Sequence, residues 1–163
     1  MTSTTLFVLL GSALIPLVMG FLYYNPKTMG NIWMKESGMT PEKGKNMNMP
    51  LVFGLMYLFS LFLAFMLFGI TVHQSAVFSI FADLKNNTEA MADKDLFLQK
   101  YGTLYRTFKH GAFHGFLSGI FLGFPLIGVN AFFEAKSFKY ILIHVAYWTI
   151  SMMLMGGVIC AFA

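Results

Sequence analysis

Four long apolar stretches constrain this chain more than any other feature of its sequence. They cover about residues 4–24, 50–72, 110–133 and 138–163. Each is long enough to cross the hydrocarbon core of a bilayer as an α-helix, which takes about 20 residues. Backbone groups in lipid must be hydrogen-bonded within their own segment, so helices are the expected structure. The sequence therefore predicts an all-α integral membrane protein, a four-helix bundle that forms a single domain over residues 1–163.

The composition agrees with this prediction and excludes other classes of protein. Of the 163 residues, 57% are hydrophobic and only 11% are charged, whereas a soluble domain carries about 25% charged residues. The formal net charge is +4, but the sequence has no basic helix or stripe of the kind that reads nucleic acid. We therefore expect the lipid bilayer, and no nucleic acid, as a partner.

The third apolar stretch carries glycines at a regular spacing of four residues. They are Gly111, Gly115, Gly119 and Gly123. On a helix this spacing places all four on nearly one face. A face without side chains lets another helix come close, and such contacts drive helix association in lipid. We predict close packing through these glycines, either on the fourth helix or on a second copy of the chain.

The second loop, roughly residues 74–109, is the largest polar region. Apolar residues recur at helical spacing in its second half, at Phe97, Leu98, Tyr101, Leu104, Tyr105 and Phe108. This pattern predicts an amphipathic helix that lies along the membrane surface and runs into the third span.

Three histidines fall on the same predicted face of the membrane. His73 ends the second span, and His110 and His114 begin the third. Three imidazoles can bind a metal ion, and two can serve as the axial ligands of a haem. The competing interpretation places these rings in the headgroup layer, with His114 hydrogen-bonded to a neighbouring helix. No carboxylate or cysteine joins them at ligand spacing, so the sequence favours this second interpretation, and no metal or other cofactor is expected.

A second group of polar residues lies towards the opposite face of the membrane. We predict a polar seam made of Asn130, Glu134, His144, Tyr147, Trp148 and Ser151. Polar groups at membrane depth are candidates for a ligand or proton pocket, but a hydrogen-bonded packing seam is the simpler explanation. No Asp, Glu, Lys or Arg lies well inside any predicted span, which argues against a carrier driven by protons or sodium.

The segment after the first span resembles the signature of a known family. An aromatic residue, a proline, a glycine and a tryptophan match the family pattern at Tyr24, Pro26, Gly30 and Trp33. The start of the fourth span, from Phe138 to His144, is similar too. The family comprises small bacterial membrane proteins catalogued as domain of unknown function 1761. The resemblance implies four spans in a bacterial inner (cytoplasmic) membrane, and it supplies no catalytic residues.

Loop charges indicate the orientation of the chain. Lys and Arg number six in the first and third loops together and five in the second loop. The positive-inside rule therefore favours an orientation with both termini outside.

The sequence leaves three hypotheses of function, none of them enzymatic. It contains no nucleophile–base pair, phosphate-binding loop or zinc-type spacing, so the chain is not expected to be an enzyme. The leading hypothesis is a small membrane protein that acts as a homo-oligomer or as an accessory subunit of a membrane complex. The alternatives are a small-solute or ion transporter or channel formed by oligomerisation, and a haem- or metal-binding protein that uses the three histidines.

Overall fold

The structure, a computed structural model, describes residues 2–163, and the regular structure of this range is α-helical with short 3-10 and π segments. Four helices in the range are long and apolar enough to cross a membrane: Ser3–Tyr23, Met49–Thr71, Phe108–Phe133 and Phe138–Phe162. The predicted all-α, multi-span membrane fold is confirmed. The individual helices are α1 Ser3–Ser12, α2 Ile15–Tyr23, α3 Gly30–Ser37, α4 Pro41–Lys45, α5 Met49–Thr71, α6 Gln74–Ile80, α7 Thr88–Tyr101, α8 Phe108–Ser118, α9 Phe124–Phe133 and α10 Phe138–Phe162.

Two of these spans are interrupted where the sequence places a proline. Pro16 lies at the start of α2, and the first span breaks just before it, between Ser12 and Ile15. Pro125 lies at the start of α9, after a π-helical turn at Gly119–Gly123. Proline has no backbone N–H and its ring clashes with the preceding turn, so regular hydrogen bonding is lost on its N-terminal side.

The fourth span, α10, is the centre of the bundle. Its most apolar stretch is 56% buried, against 28%, 17% and 22% for the first, second and third spans. Its buried side chains Met155 and Ile159 pack with Leu9 of the first span and Leu67 of the second. The other spans turn large apolar side chains outward, among them Phe62 and Phe121. Such faces are stable against lipid, which is as apolar as these side chains.

The glycine face of the third span lies against α10. A Cβ atom added at Gly111 or Gly115 would overlap the backbone carbonyl of Gly156 or Met152, and one added at Gly119 would overlap Thr149. At Gly123 the nearest atom is the flexible Cε of Met152, at 3.6 Å. The two helices therefore pack closely from Gly111 to Gly119, over two turns, and separate within the π-helical turn, between Gly119 and Gly123.

The second loop contains a surface helix, α7, with no buried residue. It begins after Asn87, whose side chain accepts a hydrogen bond from the N–H of Ala90, and it ends at Tyr101 rather than running into the third span. Tyr105 adopts a left-handed backbone conformation with φ +63°, which breaks the helix. Thr107 then caps the start of α8 by accepting from the N–H of His110.

Candidate metal centre

The structure brings His73, His110 and His114 together at one end of the bundle. His73 lies two residues beyond the end of the second span, and the other two lie one turn apart on α8. The Nε2 atoms of His73 and His110 are 2.9 Å apart although the residues are 37 positions apart in sequence. One ligand nitrogen from each of the three rings lies within 4.8 Å of the others. We call these three residues the histidine cluster.

Packing against α10 fixes the direction in which the histidine cluster points. Gly111 and Gly115 allow one face of α8 to pack closely on α10. His110 and His114 therefore lie on a different face, towards the end of the second span. There, Thr71 and Val72 are both buried, which positions the residue that follows them. The cluster therefore has a rigid base, as a preorganised binding site requires.

Tyr105 forms one wall of the histidine cluster. Its ring stacks on the His110 ring, with centroids 5.0 Å apart and planes inclined by 19°. Its carbonyl oxygen accepts hydrogen bonds from the N–H of Thr107 and the thiol of Cys160. A left-handed conformation at a bulky residue costs on the order of 1–3 kcal/mol, and such strain collects at functional sites. Sequence reasoning missed this residue because its apolar spacing assigned it to the surface helix.

The donor set of the cluster suits a first-row transition metal. In a tetrahedral zinc site with Zn–N bonds of about 2.0–2.1 Å, ligand nitrogens lie roughly 3.3 Å apart. The three imidazoles need only small side-chain rotations to reach that spacing. The cluster holds histidines and no acidic or thiol ligand from the described chain, so a four-coordinate ion would keep one position open. Imidazole favours zinc, copper, nickel and iron over magnesium or calcium.

The same geometry does not suit a haem. A haem with two axial histidines places the rings on opposite faces of a wide macrocycle. Here the ring centroids of the cluster lie 4.6 Å to 5.0 Å apart, in direct edge-to-face contact. No flat slot separates the rings of His73, His110 and His114, so the cluster fits an ion rather than a macrocycle.

The residues of the predicted polar seam lie in two different surroundings. Asn130, Glu134, His144 and Trp148 line a small cavity of about 240 Å³. Tyr147 points instead towards the first span, where its hydroxyl donates to the carbonyl oxygen of Pro16 at 2.7 Å. The hydroxyl of Ser151 is buried without a partner in residues 2–163.

The family signature joins the first loop to the fourth span. An added Cβ at Gly30 would overlap the carbonyl of Tyr24 and the backbone of Asn25, so glycine permits the tight turn there. This turn places the Tyr24 ring against Trp33, with centroids 5.3 Å apart and planes inclined by 56°, and the Tyr24 hydroxyl 3.0 Å from Nδ1 of His144. Burial raises the pKa of Tyr24 above its ordinary value, so the phenol stays protonated in this contact.

Most of the chain is similar to a known protein family. The model of a protein family described as "Protein of unknown function (DUF1761)" matches residues 6–160. No curated protein and no solved structure matches the chain. The family match spans both the signature and the histidine cluster, but its description gives neither of them a role.

Proposed function

The chain belongs to the DUF1761 family of proteins of unknown function, and on that premise we propose that it is a membrane protein that binds a divalent transition-metal ion through His73, His110 and His114. The observation that carries this proposal is the convergence of three imidazoles, one just beyond the end of the second span and two at the start of the third. It departs from the expectation, drawn from sequence, that no metal is bound.

The chemistry of three adjacent imidazoles supports the proposal. Each ring has one nitrogen that can accept a hydrogen bond or bind a metal and one that donates. With three rings this close, a shared cation can engage one lone pair from each ring at once. Zinc is the preferred ion, because a neutral His₃ set with an open fourth position is a recurrent zinc environment. The bound ion would link the end of the second span to the start of the third.

Zinc is expected to bind the purified protein in a neutral detergent with a stoichiometry of one ion per chain. Because the site forms only in the folded state, zinc at 100 times its Kd should stabilise the fold by about 2.7 kcal/mol. Isothermal titration calorimetry and thermal unfolding, with and without a chelator, measure both effects. The proposal is wrong if zinc, cobalt, nickel and copper bind no better than they do to a variant with all three histidines changed to alanine.

We propose separately that the chain works as a homo-oligomer or as an accessory subunit of a larger membrane complex. The wide outward apolar faces of the spans support this, because they leave room for a partner as well as for lipid. The Gly111–Gly119 face is already occupied by α10, so a partner would use another surface. Mass measurement in detergent should give either a multimer or a co-purifying protein, and a strict monomer without a partner would contradict the proposal.

We further propose a location in a bacterial inner membrane with both termini outside, supported by the loop charges and the family resemblance. The second loop and the histidine cluster would then also lie outside. A cysteine introduced at Asn86 should react with a membrane-impermeant thiol reagent in intact cells, whereas the native Cys160 is buried. Protection of the introduced cysteine would indicate the opposite orientation. The transporter or channel alternative, and the expectation that the chain is not an enzyme, stay predictions.

A further inference from the structure

An apolar cavity of about 340 Å³ adjoins the histidine cluster. It lies between α6, the end of α7 and the turn that follows α7. Its apolar walls come from Val77, Phe97 and Leu104, together with the ring of Tyr101, and His73 forms part of its rim. The cavity and the cluster are therefore continuous through His73.

One polar group of this cavity, the amide nitrogen of Gln74, is already engaged. It donates to the carbonyl oxygens of Tyr101 and Leu104, at 3.1 Å and 2.8 Å. These two bonds use both amide hydrogens and hold the turn over α6. His73 is a member of the histidine cluster, so an ion bound there would supply the strongest polar anchor at the rim.

The charge of the metal-loaded cluster selects the headgroup of a ligand. Three neutral imidazoles leave the double positive charge of the ion uncompensated, which favours an anion in the open fourth position. A carboxylate oxygen binds zinc at about 2.0–2.2 Å. The apolar cavity beside it is at the small end of the range for ligand pockets, about 300–1,000 Å³, so it has room for one short acyl chain but not for a two-chain phospholipid.

From these features we propose that the metal-loaded histidine cluster and the adjoining cavity together bind a medium-chain fatty carboxylate. Its carboxylate completes the coordination of the metal, and its acyl chain lies along Val77, Phe97 and Leu104. This inference rests on the proposed metal site. It adds the chemical class of the ligand. It also gives a role to Tyr105, whose ring lines the cavity and stacks on the ring of His110.

Cobalt(II) is the probe for this proposal, because its visible absorption reports both metal binding and a change of the fourth ligand. The full chain is loaded with cobalt in a neutral detergent and titrated with octanoate, acetate or octanol. Octanoate should change the spectrum at a concentration at least about tenfold lower than acetate does, because its buried methylenes add to the affinity. Octanol, which has no carboxylate, should leave the spectrum unchanged.

A matched pair of substitutions distinguishes octanoate binding in the cavity from general effects of the detergent. Val77→Trp fills the cavity and should reduce the affinity for octanoate to that for acetate, with cobalt binding retained. Val129→Trp, at an exposed position of the third span, should keep the preference for octanoate. If cobalt binds but octanoate and acetate act alike, the carboxylate proposal is overturned while the metal site stands. If cobalt does not bind, both are overturned.

Discussion

Gly115→Ala is expected to destabilise the protein by about 1–3 kcal/mol or more, the usual cost of forcing a methyl group into a well-packed contact. The added methyl group would overlap the backbone carbonyl of Met152. A backbone atom cannot rotate out of the way as a side chain can, so α8 and α10 must move apart. The separation would also displace His114, which is one residue away. Thermal or chemical unfolding in detergent measures the effect.

Gly123→Ala is the matched control, with the same chemical change on the same span. There the new methyl group meets only the end of the Met152 side chain at 3.6 Å, an ordinary contact. Alanine is a better helix former than glycine by up to about 1 kcal/mol, so this variant should be as stable as the parent or slightly more stable. Equal destabilisation by Gly115→Ala and Gly123→Ala would show that the close approach of the two helices does not determine stability.

The helical membrane fold was predictable because the length and polarity of a segment decide whether it can cross a bilayer. The length and polarity of a segment do not determine how closely two helices approach each other. Gly119 and Gly123 are equivalent in the glycine spacing, yet only Gly119 lies against the backbone of α10. The difference arises at the π-helical turn before Pro125, where an extra residue in the turn rotates the rest of the helix. A prediction from residue spacing assumes a regular α-helix, so it does not include that rotation.

The surface helix shows a similar limit. Apolar spacing continues from Phe97 through Tyr105, and that pattern alone predicts a continuous helix. The structure ends the helix at Tyr101 because Thr107 offers a new cap to α8 and Gln74 binds the carbonyl oxygens of the intervening turn. The second of these contacts joins residues about 30 positions apart, and a local pattern contains no trace of it.

The candidate site was predictable in its membership but not in its geometry. Topology alone placed His73, His110 and His114 on one face of the membrane. Their separation depends on how deeply the second and third spans are set against α10, and that depth follows from glycine contacts and buried apolar side chains. The approach of His73 and His110 to a hydrogen-bonding distance of 2.9 Å therefore had no sequence signal, and the metal proposal depends on the third ring, His114, lying within reach of both.

His110→Ala is expected to weaken zinc binding at least about 100-fold, because even the loss of an outer-shell partner costs roughly 10- to 100-fold in metal affinity. His73→Ala and His114→Ala should have the same effect, since each removes one of three ligands. The stability of the metal-free protein should change little with His73→Ala, because this side chain is exposed. Competition with a chromophoric zinc chelator measures the affinity of each variant.

His144→Ala supplies the control for these three variants, because His144 lies at the other end of the bundle, beside Tyr24. It removes the same side chain and also breaks a partly buried hydrogen bond, so it should lower the thermal stability of the protein while leaving zinc affinity unchanged. The cluster variants should show the opposite pattern, with the zinc-dependent rise in Tm lost and the metal-free Tm nearly kept for His73→Ala. This crossed result separates ligation from folding. If zinc affinity falls equally in all four variants, the loss reflects a weakened fold and the three histidines are not the ligands.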